Sequence, residues 1–124
     1  MVIIINWIKR YIWICVMVYS VAIFILSSMP QPPFPPEPLI PYQDKFLHIT
    51  VYFLYALLWQ VGLIGVKNEK ISGYAIPLAV VIAILYGATN EVYQSFIPDR
   101  MYDLGDVIAN AIGALISGLK IIKI

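Results

Sequence analysis

An all-α integral membrane bundle of four helices is the fold this sequence predicts, and three observations predict it. The 124 residues are 61% hydrophobic and only 12% charged, with a mean hydropathy of +0.85, whereas a soluble domain averages about a quarter charged residues. The apolar residues gather into four runs, each close to the roughly 20 residues that a helix rising about 1.5 Å per residue needs to cross a bilayer. Between the runs lie short segments rich in proline or charge. A single domain over 1–124 is expected, so any chemistry falls to helix ends and short loops.

The first span is expected at about 8–27. Lys9 and Arg10 stand before the apolar run Tyr11 to Leu26, and Ile3 to Ile8 add apolar length that can extend into the interface. Ser27, Ser28, Met29 and Pro30 offer no small-x-small cleavage site, so the run reads as a retained helix and not as a signal peptide. Cys15, the sole cysteine, can form no intramolecular disulfide and packs as a small hydrophobe. A lipoprotein-type site there lacks the apolar stretch it would need, because Lys9 and Arg10 come just before it.

A proline-rich extracytoplasmic loop is expected at 29–43. Seven prolines between Met29 and Pro41 remove amide donors and restrict the residues before them, which excludes helix and favours an extended path. A stiff connector is the simplest role for such a segment, and a lid or partner-binding strap is the alternative. The second span is placed at about 45–66 and the third at about 73–94. The short polar linker Lys67 to Ser72 makes these two an antiparallel hairpin. Pro77 falls in the first turn of the third helix, where a missing donor costs little. The fourth span, about 102–119, follows Pro98, Asp99 and Arg100. On it Ala109, Gly113 and Ser117 form one small-residue ridge, and Asn110, Ala114 and Gly118 form another, which predicts close packing on its neighbours.

Charge sets the expected orientation. With a cytoplasmic amino terminus, six basic residues (Lys9, Arg10, Lys67, Lys70, Lys120, Lys123) lie inside and two, Lys45 and Arg100, lie outside, a positive-inside pattern. Both termini are then cytoplasmic, and most acidic residues fall at the outer end. The net charge of +1 comes from dispersed basic residues, not from a stripe, so no nucleic acid partner is expected. Membrane lipids are.

Polar residues in helical register converge on that outer end. Asp44 and His48 are spaced i, i+4, so the carboxylate can cap the second helix or fix the histidine's tautomer. Glu91 and Gln94 are i, i+3 and follow seventeen uncharged residues, Tyr74 to Asn90. A carboxylate there must face the bundle interior, a cavity or a partner, since lipid exposure at depth costs roughly 2 to 3 kcal/mol or more. An ion pair of Glu91 with Lys45 or Arg100 is its structural alternative, an inefficient one because desolvation offsets much of the attraction. Asp106 and Asn110 repeat the i, i+4 spacing, and an interhelical hydrogen bond is the structural reading for the asparagine.

These residues carry a resemblance. Asp44, Lys45 and His48, then Gly87, Asn90, Glu91 and Gln94, then Pro98, Arg100, Asp106, Asn110 and Gly113, form an ordered D-K-x-x-H, E-x-x-Q, P-x-R and D-x-x-x-N set. This set resembles the VanZ-like family of small bacterial membrane proteins over roughly residues 10–119. Asp103 and Asp99 depart from the usual pattern without replacing a motif residue. The resemblance implies a multi-pass protein of the bacterial cytoplasmic membrane associated with low-level resistance to the glycopeptide teicoplanin, without an established reaction.

Three readings stay open. In the first, an envelope ligand, either a lipid-linked cell-wall precursor or a lipoglycopeptide, is bound or modified. Asp44, Lys45, Gln94, Arg100 and Asn110 would hold it, and Glu91, His48 and Asp106 would supply acid and base. The second makes His48, Glu91 and Asp106 ligands of a catalytic metal, although one histidine with dispersed carboxylates is a weak signature, and neither metal nor cofactor is expected. The third is a structural or accessory protein, alone or as a homo-oligomer, whose polar network holds the bundle. The chain lacks a G-x-S-x-G elbow, a nucleotide-binding glycine loop and a paired C-x-x-C, which disfavours the familiar nucleophilic, nucleotide-driven and zinc-ribbon mechanisms.

Overall fold

A computed structural model describes residues 2–29, 42–98 and 102–119. Six helices make up the secondary structure of these residues: α1 (Val2–Arg10), α2 (Ile12–Ser28), α3 (Gln43–Ile64), α4 (Glu69–Gly73), α5 (Ala75–Gln94) and α6 (Leu104–Ser117). The all-helical class is as the composition predicts. The proline-rich segment falls on residues outside those described, as does Arg100.

Two helices are long and apolar enough to cross a membrane. Their 22 and 20 residues give lengths of about 33 and 30 Å. The bent pair α1 and α2 makes a third span if counted together, and α6 is a shorter apolar helix. Two expected boundaries need correction. The first span is not continuous over 8–27, because α1 and α2 meet at 80°. Tyr11 leaves helical geometry at φ −113° and ψ 26°, so the apolar residues of α1 do not lengthen the span. Lys9 and Arg10 close α1 just before the bend. The bend leaves them level with an α1 whose every side chain is exposed, the layout of a helix lying along the membrane surface.

The fourth helix is also shorter than expected, 14 residues instead of the run 102–119. Asp103 ends it on one side, its Oδ1 accepting the Gly105 amide at 2.8 Å, and Gly118 ends it on the other. At about 21 Å it does not cross the hydrocarbon core by itself. The linker between the second and third spans folds into the single turn of α4, capped by Asn68, whose side chain accepts from the amides of Lys70 and Ile71. Pro77 sits in the first turn of α5, as predicted.

Helix α3 is central and packs on α6, α5 and α2. Small residues permit this. Ala56, Ala79, Ala83 and Ala114 are fully buried, and a side chain on Gly113 would run into the Ile49 carbonyl of α3. The predicted ridge is therefore the buried face of α6, with Ala109, Asn110, Gly113, Ala114 and Ser117 all inside. Polar side chains fasten the helices where lipid offers no alternative partner. Gln60 donates to the Ser117 carbonyl and hydroxyl at 3.2 and 3.0 Å. Tyr19 donates to the Val51 carbonyl at 2.7 Å, and Tyr86 donates to the Ser20 carbonyl at 2.6 Å, tying α2 to α3 and α5. Apolar side chains such as Leu54, Val81, Leu85 and Leu115 point outward, the surface a bilayer would cover.

Candidate functional site

The carboxyl ends of α2 and α5 meet the amino ends of α3 and α6, so residues distant in sequence share one end of the bundle. There they enclose a cavity of about 260 Å³. Ser27, Asp44, His48, Tyr52, Asn90, Glu91, Gln94, Asp106 and Asn110 supply its polar side, while Ile23, Leu26, Leu47, Val51 and Gly87 supply an apolar wall.

An ionic ring forms the rim. The Lys45 ammonium lies 2.9 Å from Asp44, 2.7 Å from Asp103 and 2.6 Å from Asp106. Three carboxylates thus share one cation. The same ammonium beside Asp103 holds that carboxyl below the usual carboxylate range, its hydrogen bond being the largest cause. Among the described residues, the group of acidic or imidazole side chains that converges closely enough to hold an ion is Asp44, Asp103 and Asp106. It is not the His48, Glu91 and Asp106 set named in the metal alternative. The positive charge those three acids surround is Lys45 itself.

One turn deeper Asn90, Glu91 and Asn110 are buried, with His48 partly exposed beside them. His48 Nδ1 lies 2.8 Å from Asn110 Oδ1, and its Nε2 lies 3.5 Å from Asp106 Oδ2. The histidine's carboxylate neighbour across the bundle is therefore Asp106; Asp44, expected in that role, is 63% exposed in its side chain and bonded to Lys45. Nor does Asp44 cap α3. The cap position is Tyr42, in the left-handed region at φ 60°, without a side-chain cap bond. Glu91 is 2% exposed, and its Oε1 accepts the Asp103 backbone amide at 2.9 Å. It does not pair with Lys45, which the ring already occupies. Asn90 donates to the Tyr52 hydroxyl at 3.4 Å and the Tyr86 carbonyl at 3.1 Å. Gly87 makes the layer possible: a Cβ there would stand 3.0 Å from both Asn110 Nδ2 and Tyr52 Cε1.

Six of the expected residues, Asp44, His48, Glu91, Gln94, Asp106 and Asn110, thus line one cavity, with Lys45 bonded beside it. Arg100 lies outside the described residues. Sequence reasoning left Asn90, Tyr52 and Asp103 out of the candidate set. Asn90 was detectable, being i, i+4 from Gln94 on the same helix face. Asp103 stands three residues before Asp106, where an N-cap is expected. The contribution of α2 is mostly apolar, with Ser27 its polar residue at the cavity.

The model of the VanZ/LLP1 family matches residues 3–123, nearly the whole chain. The chain belongs to the VanZ/LLP1 family. A similar protein, described as uncharacterized, is found in the yeast Schizosaccharomyces pombe. It is 30% identical over 82 residues, which cover 64% of this chain and 47% of the relative, so the chain spans about half that protein's length. No solved structure matches the chain. Family membership agrees with the ordered motif set, and in this VanZ/LLP1 chain the motif residues described above gather at one end of a helical membrane protein.

Proposed function

We propose that this VanZ/LLP1 protein acts at the outer face of a bacterial cytoplasmic membrane, where its cavity binds the polar end of an envelope ligand and so contributes to glycopeptide resistance. Lipid-linked cell-wall precursors and lipoglycopeptides are the ligand classes in view. One observation carries the reading: five polar side chains, Ser27, Asn90, Glu91, Gln94 and Asn110, are buried around a cavity that also has an apolar wall. Burying them costs free energy, and a cavity polar on one side and apolar on the other suits an amphiphile. The orientation is supported by charge, since Lys67 and Lys70 lie in the loop at the far end of the bundle from the cavity. His48 beside Asp106, together with Glu91, would provide acid and base if the ligand is also modified.

A second reading has its own observation. The His48 contact with Asn110 joins α3 to α6, and the Asp103 amide on Glu91 joins α6 to α5, so the layer also suits a scaffold that holds helices in register. Teicoplanin and vancomycin susceptibility in a sensitive Gram-positive host separates the two. Wild type, Glu91→Gln and His48→Ala are compared at matched membrane levels. Protection against teicoplanin by wild type alone supports the ligand site. Equal protection by the variants assigns the layer to the scaffold, and no protection by wild type removes the resistance role.

A further inference from the structure

Around the cavity the hydrogen-bond account among the described residues is incomplete on both sides, since Gln94 and Asn110 leave side-chain N–H donors unused while acceptors stand open as well. Gln94 is only 7% exposed and lines the cavity, yet its side-chain amide has no hydrogen-bond partner among the described residues. Glu91 uses Oε1 for the Asp103 amide, and its second oxygen takes no hydrogen bond from a described residue. Asn90 spends its donors on Tyr52 and Tyr86, which leaves its carbonyl oxygen facing inward. Among the described residues the fully enclosed side-chain atom without a partner is Trp59 Nε1, so these cavity atoms reach the open side of the cavity, where an entering donor can meet them.

Charge narrows the choice of that donor. Asp44, Glu91 and Asp106 line the cavity, and no lysine or arginine does among the described residues. Lys45 would be the obvious phosphate ligand, but its ammonium is already held by Asp44, Asp103 and Asp106. An entering phosphate would meet carboxylates with no free cation from the described residues to balance it. An ammonium would meet the opposite field.

Size and walls narrow it again. The volume of about 260 Å³ lies just below the roughly 300 to 1,000 Å³ that houses a drug-sized ligand, so the recess suits a small head group with the rest of the ligand outside it. Leu26 and Leu47 form part of the apolar wall, and Leu47 is itself 36% exposed, which gives an attached chain an exit between α2 and α3.

We infer that the cavity takes the primary ammonium head of an amine-bearing amphiphile, seated among Glu91, Gln94 and Asn90, with its apolar tail leaving past Leu26 and Leu47. This rests on the reading of the cavity as a ligand site and narrows the ligand classes proposed for it: an amine-bearing amphiphile fits, and a precursor that presents phosphate to the cavity does not.

The test uses the full chain in neutral dodecyl maltoside micelles, titrated calorimetrically with dodecylamine, dodecyl phosphate, dodecanol and ethylamine. Dodecylamine should bind saturably and at least about tenfold more tightly than the phosphate or the alcohol, the factor expected for a charge-assisted hydrogen bond. Gln94→Leu and Glu91→Gln should each weaken it about tenfold. If either variant fails to fold, the comparison of amine with phosphate on wild type still decides. Phosphate binding as tight as the amine, or undiminished amine binding in folded Gln94→Leu, overturns the inference. Ethylamine competing as well as dodecylamine overturns the amphiphile and leaves a free-amine site. Amine selectivity without glycopeptide protection in cells would overturn the resistance role alone, whereas protection with no amine binding would overturn this inference alone.

Discussion

The rim of the cavity and the layer one turn below it use similar residue types under opposite conditions. At the rim, Asp44 and Asp103 are 63% and 48% exposed in their side chains and share Lys45 with Asp106. The Asp44 and Asp103 pairs, being exposed, are worth about 0 to 1 kcal/mol each, and Asp106, 14% exposed, is the partly buried member of the ring. In the layer below, Asn110, Asn90 and Glu91 are buried and His48, 27% exposed in its side chain, closes the layer toward the rim; for the buried members an unmade bond costs more than a made one gains. The rim can lose a member and rehydrate. The buried layer cannot, so its residues are the ones whose retention calls for a ligand or a structural duty.

Four changes test that contrast, taken from the largest expected effect downward. Gly113→Ala should be the most damaging, because the new methyl meets the Ile49 carbonyl and stands 3.0 Å from the Phe53 nitrogen. Backbone cannot yield as a side chain can, so α6 must move away from α3 and carry Asn110 off His48. A loss of about 3 kcal/mol is expected, read as a fall in the thermal unfolding midpoint in detergent. A midpoint within a degree or two of wild type would show that the layer does not depend on this close approach.

Asn110→Leu keeps the helix but removes the oxygen facing His48 Nδ1 and crowds Gly87, whose side Asn110 already fills. About 1 to 2 kcal/mol should be lost. Lys45→Met should cost less, about 1 kcal/mol, even though it breaks three ion pairs at once. Salt should shrink that difference. If Lys45→Met proves worse than Asn110→Leu, the ranking of rim and layer is wrong.

The same ring predicts an acid limb. Asp103 titrates below the ordinary range in the folded protein because Lys45 holds it ionised. Its contribution is full above its unfolded value, about 3.9, and is lost as pH falls through the lower folded value. The unfolding midpoint should stay level down to about pH 4 and drop below it, with a smaller drop in Lys45→Met. Asp44→Asn is the smallest change, under about 0.5 kcal/mol, since Asp44 is the most exposed of the three acids.

Much of this was legible in the chain before folding. The apolar runs located α2, α3, α5 and α6 to within a few residues, because a bilayer leaves helix as the natural way for such runs to satisfy their backbone. Helical spacing selected His48, Glu91, Gln94, Asp106 and Asn110, since residues three or four apart must share a face. The bend at Tyr11 was less visible. Local composition there favours continued helix, and it is the difference in surroundings between Lys9, Arg10 and the apolar run after them that suits a turn.

What the sequence determined by itself is which residues stand on which face of each helix, a consequence of a fixed number of residues per turn. Which face meets which was decided only by the tertiary structure. Lys45 pairs with Asp103 and Asp106, fifty-eight and sixty-one positions away, and not with Glu91. His48 meets Asn110 and Asp106, and not Asp44. Those partners follow from how closely α6 approaches α3 at Gly113 and α5 at Gly87, and such contact depends on small side chains meeting backbone or bulk from another helix, which no periodicity within one helix encodes.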